Sequence, residues 1–182
     1  MITISKLKLT NLQQEILRLL YLKVGVSLNA RGIAKALQVS APAISKALPI
    51  LEKENFILVA KDKESKRLSI ELNRDNQRMI WLKRADNLLQ IYESGLGKYL
   101  HDSFPGSTII LFGSYAFGED TIKSDLDLAV IGTKKKNINL STFEKIVQRP
   151  ITINYYPSFR NIDKHLLNNI LNGITLKGAV EI

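Results

Sequence analysis

Apolar residues recur at helical spacing in several stretches near the start of the chain. The first stretch, residues 11–22, places its apolar side chains on one stripe and predicts an amphipathic helix. A second helix is predicted over about 31–37, and a third runs from Ser40 or Ala41 to about Asn55. Each stretch follows a residue type that commonly caps a helix N-terminus. The pattern therefore predicts three short helices.

Two short runs of strand-forming residues follow these helices. They are FILVA (56–60) and RLSIEL (67–72), and the charged sequence KDKESK lies between them. This arrangement predicts a hairpin with a charged tip. Helices followed by a hairpin in this order form a winged helix-turn-helix, and the order resembles that of the MarR-like and ArsR-like winged helices.

The resemblance implies a DNA interface. In a winged helix the third helix usually enters the major groove, and the hairpin tip meets phosphates or the minor groove. Winged helices also serve as protein-interaction modules, and this alternative stays open. The residues implied at DNA are Ser40, Ser45 and Lys46 on the third helix, Lys61, Lys63, Lys66 and Arg67 in the wing, and Arg31 and Lys35 on the second helix.

A long amphipathic pattern over residues 74–103 predicts a connecting helix. Gly95 and Gly97 interrupt the pattern, and the helix is expected to break near them. The tryptophan in this stretch is expected to be a core residue. The apolar positions of the pattern are Trp81, Ala85, Leu88 or Leu89, Tyr92, Leu96, Tyr99 and Leu100.

Strands and helices alternate in the remainder of the chain. Apolar, strand-like runs occupy 107–112, 126–131 and 151–156, and helices are predicted between and after them, the last near 158–172. Such alternation predicts a small sheet with helices packed on it. The whole chain is therefore predicted to be α+β. Its predicted parts are a winged helix-turn-helix over 1–73, the connecting helix over 74–103, and a mixed sheet with flanking helices over 104–182.

The composition indicates a soluble globular protein, with 45% hydrophobic and 24% charged residues. No apolar run approaches the roughly 20 residues that cross a bilayer, and lysines interrupt the N-terminal segment where a signal core would lie. A cytoplasmic location with no membrane partner is therefore expected. The chain has no cysteine and only two histidines, so a catalytic metal would have to bind oxygen ligands.

The net charge of the chain is +9, and most of the excess positive charge lies in its N-terminal part. Residues 1–72 hold 12 Lys and Arg against 6 Asp and Glu, whereas residues 105–182 hold 9 against 7. A basic front suits a polyanionic partner such as nucleic acid. On charge alone, a solvated surface of the archaeal kind is an equal alternative.

Candidate chemistry lies in the sequence GSYAFGEDTIKSDLD. Gly113 and Ser114 follow a predicted strand, and Asp125 and Asp127 open the next strand. Alternate residues of a strand point to the same face, so the two carboxylates project together and can share a cation. Carboxylate oxygens suit Mg²⁺, which keeps several waters and is usually completed by substrate phosphates.

The residues around the two aspartates suit phosphate groups. Gly113 lets the backbone approach closely, and Ser114 with the N–H groups that start its helix forms an anion-binding corner. Lys123 in the intervening loop is a further candidate phosphate contact, with a solvent-facing lysine as the alternative. The corresponding alternative for the two aspartates is a pair of turn-forming or capping acids at a strand edge.

The spacing of the Gly-Ser pair and the two aspartates resembles the signature of the DNA polymerase β-like nucleotidyltransferase superfamily, in particular its minimal bacterial and archaeal members. The resemblance implies Mg²⁺ or Mn²⁺ and an NTP, with ATP as the first candidate, held by Asp125 and Asp127. The implied reaction transfers a nucleoside monophosphate to a hydroxyl and releases pyrophosphate. Related minimal enzymes act as antitoxins that adenylylate a protein, so a protein or nucleic-acid acceptor is implied.

The sequence departs from this family on a later strand, where these enzymes usually carry a third carboxylate as metal ligand and base. The strand here is ITINYY, whose polar face holds Thr152, Asn154 and Tyr156, with Asn154 as the closest match to the missing acid. An Asn carbonyl binds a metal weakly and cannot take a proton, so nucleotide binding is expected to survive better than catalysis. Other acids that are candidates for the role are Glu119, Asp120 and Asp163.

Different functions are therefore expected as alternatives. One is a Mg-dependent nucleotidyltransferase-like protein fused to a DNA-binding winged helix. Another is a DNA-binding transcriptional regulator whose degenerate nucleotidyltransferase domain only binds nucleotide. A two-domain adaptor with an inactive metal site is a third. A homodimer is compatible with each of them.

Overall fold

The computed structural model describes residues 9–61 and 68–181. The chain folds as two compact units, Met1–Met79 and Ile80–Ile182. Among the described residues, no helix is long and apolar enough to cross a membrane. The domain boundaries expected from the sequence stay a prediction.

The described part of the first unit has the element order of a winged helix. Its elements are α1 Asn11–Leu22, α2 Ala30–Leu37, α3 Ala41–Lys53, β1 Ile57–Lys61 and β2 Leu68–Leu72. The two strands pair antiparallel along their whole length. The predicted winged-helix fold is confirmed, although α3 ends at Lys53 rather than near Asn55.

Side-chain caps explain where these helices begin. Thr10 and Gln13 form a capping box at α1, in which each side chain accepts a hydrogen bond from the other residue's backbone N–H. The side chain of Asn29 accepts a hydrogen bond from the backbone N–H of Gly32 at 2.8 Å, and Ser40 caps α3 in the same way. These bonds satisfy backbone donors that the first turn of a helix leaves unpaired.

The core of the first unit lies between the helices and the hairpin. Ile16, Ile33 and Ile44, one from each helix, have no exposed surface. Phe56 and Ile70 are equally buried and close the core from the hairpin side. Burying side chains of this size stabilises a fold by roughly 1.5–3 kcal/mol each. The apolar stripes of the sequence therefore supply this core.

Two further helices, α4 Gln77–Glu93 and α5 Leu96–Ser103, follow the hairpin in the chain. The chain breaks between them at Gly95, whose φ of +79° is readily accessible only to glycine. The expected interruption near the glycines is confirmed.

The apolar residues of α4 that the sequence pattern predicts to be buried lie on the exposed face of the helix. Lys83, Asn87 and Ile91 are buried, whereas Trp81 is 62% exposed and Tyr92 is 53% exposed. The prediction failed because the buried stripe includes a lysine and an asparagine, which a hydrophobicity pattern assigns to solvent. The expectation that Trp81 is a core residue is therefore wrong.

A sheet of mixed direction forms the centre of the second unit. Within the described residues the strand order is β5-β4-β3-β6, with β4 and β5 parallel and the other pairs antiparallel. This confirms the predicted α+β class. The elements of this part in chain order are β3 Thr108–Phe112, α6 Gly113–Phe117, β4 Leu126–Ile131, α7 Ser141–Val147, β5 Ile151–Tyr156, α8 Lys164–Leu171 and β6 Ile174–Lys177.

The end of the chain differs from its sequence-based prediction. The long helix expected near 158–172 is a 3₁₀ turn, Phe159–Asn161, followed by α8, whose N-cap is Asp163. The strand β6 is not predicted by the sequence pattern. It has four residues and follows Gly173 directly, so its pattern is too short to separate it from the preceding helix.

Apolar side chains cover both faces of the sheet. On one face Leu128 packs in a cluster that includes Tyr115 of α6. On the other face Ala129 packs in a cluster that includes Ile170 of α8. Because alternate strand residues face opposite sides, β4 contributes to both clusters, and Asp127 is its only charged residue.

A buried polar cluster holds the loop between α6 and β4. The carboxylate of Asp120 accepts hydrogen bonds from Lys83 Nζ and from Asn87 Nδ2, the latter at 2.7 Å. It also accepts a hydrogen bond from Arg149 Nη2 at 3.1 Å. Asn87 Nδ2 donates in addition to the backbone carbonyl of Tyr115 at 2.9 Å. The cluster therefore ties α4 to both α6 and the loop that follows it.

The cluster compensates the cost of removing its charges from water. Lys83, Asp120 and Arg149 are each at most 3% exposed. Burial lowers the pKa of Lys83, while the neighbouring carboxylate of Asp120 raises it. Removing one partner of such a pair leaves a buried charge without compensation. The resulting loss of stability is larger than the net stabilisation that the intact pair provides.

We expect the substitution Asp120→Ala to lower the free energy of unfolding of the second unit by about 3–5 kcal/mol, because two cations would stay buried without their carboxylate. Urea denaturation followed by circular dichroism measures the change. Glu119→Ala is the matched control, since Glu119 is exposed, and it should change stability by no more than about 0.5 kcal/mol. A loss below about 1 kcal/mol for Asp120→Ala would contradict the structural role of the cluster.

Candidate functional site

The two aspartates of the motif lie where β4 begins. Asp127 is the second residue of this strand, and Asp125 directly precedes the strand. Residues two apart on a strand share a face, so both carboxylates are expected on the same side of the sheet. Asp125 is exposed and Asp127 is half-buried. The pair therefore combines one accessible and one partly desolvated carboxylate.

Gly113 lies against the side chain of Asp127. Phe112, the last residue of β3, pairs with Asp127, so the chain leaves β3 directly beside this carboxylate. Gly113 has a φ of +72°, and a Cβ at this position would lie 2.7 Å from Asp127 Oδ2. A larger residue would be strained in its backbone and would collide with the carboxylate. The positive φ therefore favours glycine here, and the space that Asp127 occupies disfavours any side chain.

The surroundings of Asp127 disfavour a negative charge on its carboxyl group. Burial raises the pKa of Asp127, and the nearby charge of Asp125 raises it further. Both causes disfavour the ionised carboxylate, and a bound cation would act in the opposite direction. No group of three or more His, Cys, Asp or Glu side chains that could hold a metal ion occurs among the described residues. The assignment of Asp125 and Asp127 as metal ligands stays a prediction.

The register of β5 bears on the missing third carboxylate. Asp127 pairs with Thr152, and Asn154 pairs with Ala129, two residues further along the parallel ladder. Paired residues of neighbouring strands lie about 4.8 Å apart on the same face. The register therefore favours Thr152 over Asn154 as the side chain next to Asp127. The assignment of Asn154 to the third-ligand position stays a prediction.

Two of the other acidic candidates, Asp120 and Asp163, have local structural roles. Asp120 is buried in hydrogen bonds to basic side chains, and Asp163 caps α8 by accepting a hydrogen bond from the backbone N–H of His165 at 3.0 Å. Glu119 is exposed. Lys123 is exposed in the loop before β4, which suits either a phosphate contact or a solvent-facing lysine.

The buried cluster around Asp120 is the feature that sequence reasoning missed. It positions the segment that joins Ser114 to Asp125, so it supports the candidate site without lining it. Lys83 and Asn87 are four residues apart on α4, which is the spacing of neighbours on one helix face. That spacing is the signal that could have placed them together, although it does not identify Asp120 as their partner.

The candidate DNA-binding residues of the first unit are accessible where the structure describes them. Two serines use their hydroxyls within α3: Ser40 caps the helix, and Ser45 donates to the carbonyl of Ala41 at 3.1 Å. Lys63, Lys66 and Arg67 lie outside the described residues. The described candidates that are exposed are Arg31, Lys35, Ser40, Ser45, Lys46 and Lys61.

Family models match both parts of the chain. Residues 9–69 match the model of the MarR family, and residues 96–177 match the model described as polymerase beta, nucleotidyltransferase. The chain therefore joins a MarR-like winged-helix domain to a domain of the polymerase β nucleotidyltransferase fold. The fusion expected from the sequence is confirmed.

Several solved structures are similar to part of the chain. MepR, a transcription regulator of the Staphylococcus aureus multidrug efflux pump MepA, is 28% identical over 53% of this chain and 72% of its own, with a TM-score of 0.40. A MepR–DNA complex from S. aureus is 28% identical over 52% of this chain and 81% of its own, with a TM-score of 0.38.

A mutant form of MepR from a multidrug-resistant S. aureus clinical isolate is 30% identical, with a TM-score of 0.37. The match covers 41% of this chain and 55% of the mutant, so this chain spans little more than half of that relative. No curated protein matches the chain.

We expect Asp127→Asn to stabilise the chain at pH 7 in the absence of divalent cations. The raised pKa means that the folded chain binds a proton more tightly than the unfolded chain does, so stability falls as pH rises from the ordinary Asp value of 3.8 through the raised pKa. The amide removes this loss. Thermal unfolding with a chelator at pH 7 and at pH 4 measures the difference, which should shrink at the lower pH.

Glu119→Gln is the control for this experiment, because Glu119 is an exposed acid outside the pair. It should leave the unfolding temperature unchanged at both pH values. A lower unfolding temperature for Asp127→Asn at pH 7 would mean that the ionised carboxylate makes stabilising contacts, and the account of its environment would be wrong.

Proposed function

We propose that the second unit binds a nucleoside triphosphate, with ATP as the first candidate, as its Mg²⁺ or Mn²⁺ complex at Asp125 and Asp127. The reaction that suits this site transfers a nucleoside monophosphate to a hydroxyl of a protein or nucleic acid and releases pyrophosphate. The observation that carries the proposal is the close approach of Gly113 to Asp127. The match of residues 96–177 to a nucleotidyltransferase model supports it.

The residues at the site fit a hard divalent cation. Mg²⁺ prefers oxygen ligands, and it commonly binds through one or two carboxylates together with water and substrate phosphates. Burial and, after it, the charge of Asp125 raise the pKa of Asp127, and a bound cation would act in the opposite direction. When bound, such an ion neutralises charge that develops on the phosphates.

The side chains of this chain contribute binding and orientation. Asp125 and Asp127 hold the cation, while Ser114 and Lys123 are the candidate phosphate contacts. On β5 the side chain paired with Asp127 is Thr152, which can donate or accept a hydrogen bond but cannot take a proton from the attacking hydroxyl at neutral pH. The site therefore supports nucleotide binding better than it supports proton removal.

This feature of β5 supports a second candidate function. A unit that binds a nucleotide but has no side chain to act as general base would transfer the nucleotidyl group slowly, since positioned acid–base catalysis contributes about 10²–10⁴-fold in rate. The chain would then be a DNA-binding transcriptional regulator whose degenerate nucleotidyltransferase domain senses nucleotide. The two functions predict the same nucleotide affinity and different rates of pyrophosphate release.

DNA is the proposed partner of the first unit. Residues 9–69 match the MarR family model, and α2 and α3 expose Arg31, Lys35 and Lys46. Basic side chains that neutralise phosphates release condensed counterions, and this release supplies much of the affinity for DNA. The basic surface of the described helices therefore supports binding to duplex DNA.

We expect the wild-type chain to bind Mg-ATP and to release pyrophosphate slowly, and Thr152→Asp to raise the rate by at least about tenfold when a competent acceptor is present. Isothermal titration measures binding, and a coupled pyrophosphate assay measures turnover. Asn154→Asp is the matched variant, and its gain should be smaller because Asn154 pairs with Ala129. Asp127→Asn should abolish Mg-dependent binding.

Each result of this experiment decides between the alternatives. A larger gain for Asn154→Asp would show that Asn154 occupies the position of the family's acid. Fast turnover by the wild type would mean that another acid acts as the base. Unchanged Mg-ATP affinity in Asp127→Asn would refute the site itself.

We expect the full chain to bind duplex DNA with an affinity that falls steeply as salt rises. Replacing Lys35 and Lys46 by alanine should reduce the slope of log affinity against log salt by about two, because each phosphate contact contributes about 0.9. Fluorescence anisotropy with a labelled duplex measures the slope. The control replaces Lys134 and Lys135, exposed lysines of the second unit. A salt-independent or absent signal would favour a protein partner for the winged helix.

A further inference from the structure

The guanidinium of Arg84 on α4 stacks on the ring of Phe117 in α6. The central carbon of the guanidinium lies 5.8 Å from the ring centroid, and both side chains are partly buried. Stacking of this kind uses the flat face of the guanidinium and leaves the N–H donors at its edge available. Among the residues that the structure describes, none forms a hydrogen bond or ion pair with these donors. Arg84 is therefore an oriented cation for which the described residues supply no paired carboxylate.

A close backbone contact holds Arg84 beside α6. A Cβ added to Gly118, which directly follows α6, would lie 2.8 Å from the backbone nitrogen of Arg84. The two segments therefore meet with no room for a side chain between them. Ser114 lies four residues before Gly118, which corresponds to about 6 Å along a helix at 1.5 Å per residue. An extended arginine side chain covers a distance of this order, so Arg84 can reach the level of Ser114.

The ring of Phe117 directs the guanidinium toward Ser114. Residues three apart in a helix are neighbours on its surface, so Phe117 and Ser114 share a face of α6. Long side chains of a helix point back over the preceding turn, which here is the turn that contains Ser114. The guanidinium stacked on this ring is therefore expected beside the Ser114 hydroxyl. That hydroxyl likewise has no hydrogen-bond partner within the described ranges.

The charge balance of the proposed nucleotide site favours a cation at this position. A nucleoside triphosphate with one divalent ion is still negative, and Asp125 and Asp127 add two carboxylates. Lys123 is exposed in its loop, so fixing its flexible side chain on a phosphate costs conformational entropy. The guanidinium of Arg84 is already oriented by the ring of Phe117, so it loses less freedom when it binds.

We propose that Arg84 binds the terminal phosphates of the nucleotide and makes the site select a nucleoside triphosphate over a monophosphate. This inference rests on the proposed function, in which Asp125 and Asp127 hold the divalent ion. A guanidinium binds phosphate through two parallel hydrogen bonds, a geometry that the ammonium group of a lysine does not offer. Arg84 and Ser114 thus contact the phosphates from α4 and α6, and the triphosphate completes the coordination of the ion.

Titrations of the full chain with Mg-ATP and with AMP test the proposal. We expect Arg84→Gln to weaken Mg-ATP binding at least about tenfold, because hydrogen bonds to a charged group are lost. The affinity for AMP, measured by competition, should stay nearly unchanged, because AMP lacks the terminal phosphates. Magnesium tripolyphosphate, which has neither base nor sugar, should lose the same factor as Mg-ATP.

Two further variants separate phosphate binding from a structural role of the stacked pair. Arg84→Lys keeps the charge and loses the planar fork, so it should recover only part of the Mg-ATP affinity. Lys135→Gln is the matched control, since Lys135 is an exposed cation in the loop between β4 and α7, after the opposite end of β4 from Asp127. It should leave every affinity unchanged. Unfolding temperatures without nucleotide should be similar for all variants.

The outcomes distinguish the role of Arg84 from the proposed function. A wild-type chain that binds no Mg-ATP would refute the proposed function, and the role of Arg84 with it. Wild-type binding that Asp127→Asn abolishes and Arg84→Gln leaves unchanged would refute the role of Arg84 alone. Equal losses for Mg-ATP and AMP in Arg84→Gln would also overturn it, because Arg84 would then support the fold of the site rather than bind phosphates.

Discussion

Asp120 places a carboxylate where water does not reach it, and a buried charge is stable only if other groups replace its lost hydration. Lys83 and Asn87 approach it from α4, and Arg149 approaches it from the segment before β5. A helix, a loop and the start of an edge strand are thereby fixed around one acid. The motif aspartates depend on this arrangement, because the loop that contains Asp120 leads directly into β4.

Asp127 has very different electrostatic surroundings from Asp120, although one lies in β4 and the other in the loop that leads into it. Asp120 has two cations within hydrogen-bonding distance, whereas burial and Asp125 both act against the ionised form of Asp127. The first acid is compensated by the protein itself. For the second, the proposed cation would supply the compensating charge. Different surroundings thus give two residues of the same type a structural role at Asp120 and a proposed binding role at Asp127.

The parts of the structure that depend on local sequence could be predicted. The helices of the first unit and its strand pair follow from apolar spacing and caps. The shared face of Asp125 and Asp127, expected from the period of a strand, stays a prediction. The face of α4 could not be predicted, because the hydrogen bonds that allow Lys83 and Asn87 to be buried go to Asp120 and Tyr115, which are distant in sequence. The choice between Thr152 and Asn154 likewise depends on the register of β4 with β5, a long-range pairing. The strand β6 is too short to show a period.

The position of β6 has a consequence for synthesis of the chain on the ribosome. The described elements of the first unit are complete once Leu72 has been made, and this unit can form early. The strand β3 is made long before Ile174–Lys177, the segment that pairs with one of its edges. Until that segment emerges, an apolar strand presents unpaired backbone groups, which are a template for association with other nascent chains. The second unit is therefore most exposed to aggregation during the interval between translation of Phe112 and translation of Lys177.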